Sequence, residues 1–345
     1  MRKCLTVFLS IVLISGVLVS CSQNEKQKKV EKESDNSVKI GITFDTFVLE
    51  RWIRDRDVFV ATAQKNGAQV DVQNANGDVD KQKKQIEKFI EEKMDTIVIV
   101  PVDCYSLKEQ VKKAKEHGIK VLSYDRMIQE ETPDLYVTVD NKQVGKLMAQ
   151  EIKKRLPDGG NIAMVCGPAA DTNSQEVAHG FEDEMGEKQT WQIACKINIK
   201  SWAPENGFEA ANEALADAEN IDAVMCGNDG LAGYAIKALS EHQLAGKVVV
   251  VGQDADLEAC QRVVEGTQSM TVYKPIEELA KIAAEDAVRL ANGDTVEKLT
   301  GTMKNDVAEV PYCGLEPIAV TAENMDEIII DSGFHLRDEV YLNVE

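Results

Sequence analysis

The sequence predicts an α/β protein made of two doubly wound parallel-sheet lobes. Two observations carry that expectation. From Val38 onward, short β-branched runs alternate with amphipathic stretches about every thirty residues, the rhythm of strand-helix-strand units that build a parallel sheet. The series then starts again in the second half of a chain of 345 residues, a length that suits two core-bearing lobes better than three independent domains.

The N-terminus stands outside this rhythm. Arg2 and Lys3 precede an apolar run from Leu5 to Val19 that ends in Leu18-Val19-Ser20-Cys21. A charged start, an apolar stretch and small residues before a cleavage point make residues 1–20 a signal peptide. In the bacterial lipoprotein pathway Cys21 then becomes the acylated first residue, which holds the protein at the membrane. An uncleaved anchor is the alternative, and both readings place the fold outside the cytoplasm. Residues 21–37 are almost wholly polar, with Lys26, Lys28, Lys29 and Lys32 interleaved among Glu25, Glu31 and Glu33, so they form a flexible lipidated tether rather than part of a core.

The first lobe begins with strands at 38–44, 68–73, 96–101 and 119–124. Between them lie helical patterns such as Gln82, Ile86, Phe89 and Ile90, with charges on the opposite face. A further strand at 135–139 leads to a helix at 142–155. The second series follows, with strands at 161–166, 193–199, 221–226, 247–252 and 269–273. The tail from residue 306 breaks the rhythm and carries Pro311 and Pro317, which reads as a crossing segment packed on the second lobe.

Composition narrows the function. The formal charge of −20, from 59 acidic against 39 basic residues, argues against a nucleic-acid partner. Cys104, Cys166, Cys195, Cys226, Cys260 and Cys313 are scattered and form no C-x-x-C pair, so mostly free thiols are expected. No G-x-S-x-G, H-E-x-x-H, P-loop or G-x-G-x-x-G occurs, and the four histidines are dispersed, so an enzyme, a metal site and a cofactor are not expected.

In open parallel sheets ligands lie beyond the carboxyl ends of the strands. Those ends hold Asp45, Arg51, Trp52, Asp125, Arg126, Asn173, Trp202, Asn228, Asp254 and Lys274. For any one of them a bland role competes, since an Asp after a strand is often a helix N-cap. Together they form a carbohydrate-binding set. Asp125 and Asp254 can accept from adjacent hydroxyls, Arg51, Arg126 and Lys274 can donate, Asn173 and Asn228 can do both, and Trp52 and Trp202 can stack on a sugar ring.

Several stretches also carry a resemblance. They are Leu49-Glu50-Arg51-Trp52, Tyr124-Asp125-Arg126-Met127, Pro204-Glu205-Asn206, Gly227-Asn228-Asp229, Gly252-Gln253-Asp254-Ala255-Asp256, Thr271-Val272-Tyr273-Lys274-Pro275 and the ending Ser332-Gly333-Phe334-His335. With these the chain resembles the periplasmic sugar-binding proteins of ABC transporters, and the extended ending favours the branch that takes D-xylose. The resemblance implies two lobes joined by a three-segment hinge, with 38–139 plus 275–305 as the N-terminal lobe and 140–274 plus 306–345 as the C-terminal lobe. It also implies a monosaccharide ligand, a permease partner, a monomer and no cofactor. Of the strand-end residues, it assigns polar ligand contacts to Arg51, Asp125, Arg126, Asn173, Asn228, Asp254 and Lys274, and stacking to Trp52 and Trp202. Signalling to a chemoreceptor or sensor kinase is the alternative role for the same fold.

Overall fold

The computed structural model describes residues 37–186, 190–218 and 220–344. The leader, Cys21 and the tether up to Asn36 lie outside the described residues.

The first series runs β1 (Lys39–Phe44), α1 (Glu50–Lys65), β2 (Gln69–Asn74), α2 (Val79–Glu91), β3 (Thr96–Ile99), α3 (Lys108–Glu116), β4 (Lys120–Tyr124) and β5 (Leu135–Val139). The second runs α4 (Asn141–Arg155), β6 (Gly160–Cys166), α5 (Thr172–Met185), β7 (Trp191–Asn198), α6 (Asn206–Asp217), β8 (Ala223–Cys226), α7 (Asp229–Glu241), β9 (Val249–Gln253), α8 (Leu257–Glu265) and β10 (Met270–Tyr273). Then come α9 (Ile276–Asn292), β11 (Gly301–Lys304), β12 (Glu309–Leu315), β13 (Ile318–Val320), a π-helical turn (Asp326–Ile330) and α10 (Arg337–Val340).

Two sheets result among the described residues, ordered β11-β12-β5-β4-β3-β1-β2 and β13-β10-β9-β8-β6-β7. Strands β1 to β5 pair in parallel, as do β6 to β10, as expected of strands joined by crossover helices. Central strands are buried on both faces, which is why β3 reads Thr96-Ile97-Val98-Ile99 without alternation. The order reverses at β1 in the first sheet and at β6 in the second, so each sheet has its switch point at the strand whose following loop faces the other lobe.

The chain crosses between sheets after β5, after β10 and after β12. The third crossing corrects the sequence reading, which began the second lobe's tail at residue 306. Instead β11 and β12 form a hairpin on the first sheet, with Tyr312, Cys313, Gly314 and Leu315 paired to Tyr136, Val137, Thr138 and Val139. Asn305 fastens its turn to the first lobe by donating to the carbonyls of Ile128 and Glu131. Pro311 inside β12 hid the strand, because proline removes a ladder donor and normally marks strand edges or loops. The crossing falls between Leu315 and Ile318. Beyond it, β13 pairs antiparallel with β10 and α10 packs on α8, so the remainder of the tail does belong with the second sheet.

Among the described residues four helices carry side-chain N-caps that fix where loops end. Asp78, Asp140, Asp171 and Asn228 accept from the amides of Lys81, Gln143, Asn173 and Leu231 respectively. All six cysteines of the described chain are free thiols, and Cys166 and Cys226 are buried.

Helices α4 and α5 approach through glycines on both sides. A Cβ on Gly145 would lie 1.9 Å from the Val177 carbonyl oxygen, and one on Gly180 would lie 2.0 Å from that of Lys142. The obstacle is backbone, which cannot rotate away. Gly145→Val should therefore cost at least about 2 kcal/mol in urea-unfolding stability. An unchanged unfolding midpoint would show that the two helices separate without loss.

Candidate functional site

Loops from both lobes converge on a cavity of about 30 Å3 lined by Arg51, Trp52, Asp125 and Arg126 from the first lobe, by Asn173, Trp202, Asn228 and Asp254 from the second, and by Lys274 at the second crossing. Nine of the ten residues singled out from sequence thus meet at one place.

Arg51 enters on the first turn of α1. Its guanidinium lies 2.8 Å from Asp125, 3.3 Å from Asp55 one helical turn later, and 3.9 Å from Asp254 of the other lobe. Asp55 is itself fully buried and also accepts from the Tyr124 hydroxyl. Burial works against the Arg51 charge, but Asp125, Asp55 and Asp254 outweigh it and raise its pKa further. For Asp125 burial again opposes ionisation, and Arg51, Lys274 and Arg126 overcome it, so its pKa is lowered. Asp55 goes the other way, with burial dominating and its pKa raised.

Arg126 forms the second centre. Its Nη1 donates to Asp45 at 2.7 Å and to the Pro101 carbonyl at 2.8 Å, and its Nε lies 2.8 Å from Asp171 across the lobe boundary. Burial of this guanidinium is offset by Asp171 and Asp45, which hold it charged. Asp171 caps α5 and accepts from Trp202 Nε1 at 3.0 Å, while burial raises its pKa.

Asp125 and Asp254 sit just beyond β4 and β9 with φ of +65° and +102°, in the left-handed region that non-glycine residues rarely adopt. Each is held there by the neighbouring strand. Asp125 donates its amide to Val137, and its carbonyl accepts from Tyr136, Thr138 and Asn173. Asp254 donates its amide to Val272, the next amide goes to Thr271 Oγ1, and Lys274 Nζ lies 2.6 Å from the Asp254 carboxylate. The tail adds a brace, since buried His335 donates to the Ala255 carbonyl and burial lowers its pKa, keeping the ring neutral.

Two aromatic plates complete the walls. Trp52 is fully buried, with Phe44 at its edge and the Arg51 guanidinium 4.2 Å above the ring centre. Trp202 lies against Gly167 and Gly227, and a Cβ on Gly167 would come within 2.2 Å of its ring. Asn228 spends its side-chain oxygen on the α7 cap, leaving its amide nitrogen for the cavity. Apart from Arg126 Nε and Asp254 Oδ1, which face the ion partners Asp171 and Lys274, four buried atoms of the lining, Arg51 Nε, Trp52 Nε1, Asn173 Oδ1 and Gln253 Oε1, have no hydrogen-bond partner among the described residues. Two are donors and two are acceptors, the demand that a polyol with vicinal hydroxyls meets.

Asp45 is the exception among the ten. Its carboxylate lies behind Arg126 rather than in the wall, so it positions that guanidinium instead of facing the cavity. Sequence reading also missed Asp171 and Ser174 as lining residues, and passed over Gln253 although it stands beside Asp254 at the end of β9. The signal for Asp171 was present, because it lies on the loop after β6 like the other strand-end groups.

Behind Asn228 lies a further buried acid. Asp229 accepts from Gln268 at 2.7 Å, Thr271 at 2.6 Å and the Asp256 amide at 3.2 Å. Burial pushes it up to about 7, with Asp254 adding to the rise and Arg262, Thr271 and Gln268 opposing it.

A family model described as "Periplasmic binding protein domain" matches residues 40–295. The D-xylose-binding periplasmic protein of Escherichia coli is 42% identical over 310 residues, covering 88% of this chain and 92% of its own length. That of Haemophilus influenzae is 41% identical over 308 residues with the same coverage. Among solved structures, a carbohydrate transporter solute binding protein from Chloroflexus aurantiacus in complex with D-glucose matches with a TM-score of 0.80 at 26% identity, covering 88% of this chain and 97% of that one.

The Asp229 proton gives a pH signature. The folded state holds it more tightly than the unfolded chain does, so its stabilisation is complete below the ordinary value of 3.8 and is lost as pH rises through about 7. Between those limits stability should fall with pH, and Asp229→Asn should flatten that part of the profile. Coincident slopes for the two proteins in urea unfolding would refute this.

Proposed function

The chain belongs to the periplasmic binding protein family, and on that premise we propose that it is an extracytoplasmic lipoprotein that closes two lobes around D-xylose and presents it to an ABC transporter permease. The family is one of binding proteins rather than enzymes.

The observation that carries the sugar reading is the set of four orphan polar atoms on residues that line one cavity together with Trp52 and Trp202. A pyranose offers hydroxyls that donate and accept around its rim and C–H faces above and below. Arg51 and Trp52 supply the donors, Asn173 and Gln253 the acceptors, and the Trp52 and Trp202 rings the faces. The carboxylates of Asp125 and Asp254 accept from adjacent hydroxyls while remaining neutralised by Arg51 and Lys274. A pentose is favoured over a hexose by the two D-xylose-binding relatives, each similar over nearly its whole length.

Closure follows from the same contacts. Asn173 Nδ2 of the second lobe donates to the Asp125 carboxylate of the first at 2.9 Å, the Cys104 amide donates to the Ala170 carbonyl, and the Leu257 amide donates to Glu50. A ligand touching both lobes adds to this seam and so shifts the population toward the closed form, which is the form a permease would read. Attachment through Cys21 keeps the receptor near its permease. Among the described residues no helix is long and apolar enough to cross a membrane.

Titration of the mature chain with a panel of pentoses and hexoses, followed by tryptophan fluorescence, tests the ligand. D-xylose should give the tightest binding, and Arg51→Ala should weaken it by about 3 kcal/mol, roughly a hundredfold in Kd, because Asp125 and Asp55 lose their buried partner. A panel in which no monosaccharide alters fluorescence or melting temperature would end the sugar reading. The anchor has its own test. Cys21→Ser should move the protein from the detergent phase to the aqueous phase in a phase-partition assay, and unchanged partitioning would remove the lipid from the proposal.

A further inference from the structure

The residue after Asn228 carries a carboxylate that the sugar contacts leave unused. Asp229 is buried and does not line the central cavity. It opens α7, but Asn228 already caps that helix, and the Asp229 carboxylate turns instead toward β9 and β10. There it accepts from Gln268 Nε2 at 2.7 Å, from Thr271 Oγ1 at 2.6 Å and from the Asp256 amide at 3.2 Å. Gly252 makes the room, since a Cβ there would lie 2.3 Å from Asp229 Oδ1. Arg262 fixes the far side, donating to Gln268 Oε1 at 3.0 Å and to the Asp229 carbonyl at 2.9 Å.

This chain of bonds ends on the turn that follows β9. Asp254 and Ala255 stand there at φ of +102° and +53°, two consecutive non-glycine residues in a conformation that persists only where its surroundings hold it. The grip is on the backbone. The Ala255 amide donates to Thr271 Oγ1 at 3.0 Å, the Ala255 carbonyl accepts from His335 at 2.8 Å, and the Asp256 amide ends on Asp229. Thr271 is the joint, because its hydroxyl accepts from Ala255 while donating to Asp229. Without that hydroxyl a buried amide of the turn would lose its acceptor, and the turn would lose the reason to stay strained.

We propose that Asp229 and Thr271 are positioning residues for the ligand: through the Ala255 and Asp256 amides they hold Asp254 at the angle from which its carboxylate meets a sugar hydroxyl. They set affinity without touching the sugar. The inference rests on the sugar reading above and extends it from the cavity wall to the bonds that aim one of its acids.

Two substitutions separate hydroxyl from shape. Thr271→Val keeps the form of the side chain and removes the hydroxyl, whereas Thr271→Ser keeps the hydroxyl and removes a methyl group. Each mature chain is titrated calorimetrically with D-xylose, and hydrogen exchange over residues 253–257 is followed by mass spectrometry in the sugar-free protein. Thr271→Val should weaken D-xylose binding about tenfold and speed exchange across that segment, while Thr271→Ser should bind and exchange as the wild type does. Should Thr271→Val fail to fold, Asp229→Asn makes the same comparison, because it turns an amide group toward one of three donors and should also weaken binding about tenfold. A Thr271→Val protein that binds D-xylose within about twofold of wild type overturns the proposal, as does a Thr271→Ser protein that loses as much as Thr271→Val. If the wild type itself gives no heat with D-xylose, the sugar reading falls and exchange alone decides the brace. Faster exchange in Thr271→Val but not in Thr271→Ser then keeps it, and equal rates end it.

Discussion

Two buried guanidinium groups govern this structure. Arg51 and Arg126 both come from the first lobe, and each is almost fully withdrawn from water. A buried charge is tolerable only when it is paired and its donors are used. The first lobe supplies part of that requirement, with Asp55 and Asp125 around Arg51 and Asp45 and the Pro101 carbonyl around Arg126. The second lobe supplies the rest, with Asp254 near Arg51 and Asp171 on Arg126. The two lobes therefore complete each other's electrostatics along one seam. Removing one partner leaves the other charge stranded, so the cost is that of an unpaired buried ion rather than that of a single missing hydrogen bond.

That arrangement demands carboxylates at fixed points, and the backbone meets the demand by strain. Asp125 and Asp254 are both held at positive φ by hydrogen bonds from the adjacent strand. A strained turn at a strand end aims a short carboxylate across the cleft, which an extended continuation of the strand would not do. The C-terminal tail reinforces one of the two. His335 holds Ala255, the residue after Asp254, while Arg54 of α1 donates to the Phe334 carbonyl at 2.7 Å and lies over the Phe334 ring. The extended ending thus ties the first lobe's leading helix to the second lobe's binding loop.

Most of this was legible in the sequence because strand ends are easy to locate when central strands are continuous apolar runs. The strands from β1 to β10 emerge from periodicity, and nine residues of the candidate site follow from asking what stands just beyond them. Asp45 stands apart from the other nine for a reason pattern cannot supply. It stands at a strand end as the others do, but its carboxylate is consumed by Arg126 behind the wall, and only three-dimensional distance separates a ligand contact from its support. Asp171 was missed because its role as an α5 cap and its role in the site are carried by the same carboxylate. The β11/β12 hairpin was hidden by Pro311, and by the fact that β12 is stabilised by pairing with β5, far away in sequence.

The glycines under Trp202 are a last example of information that sequence shows only in part. Gly167 and Gly227 directly follow β6 and β8, and each reads simply as a residue that lets a chain turn. In the fold their missing side chains are the bed on which the indole lies, since a Cβ at Gly167 would collide with the ring. With the ring seated, Nε1 reaches Asp171, and Asp171 reaches Arg126. The aromatic plate and the charge network are therefore one mechanical unit. A change that lifts the ring by even the width of a methyl group releases a carboxylate that is already reluctant to ionise, and with it one of the bonds that close the lobes at Arg126. Shape at the glycines is in this way transmitted to charge at the seam.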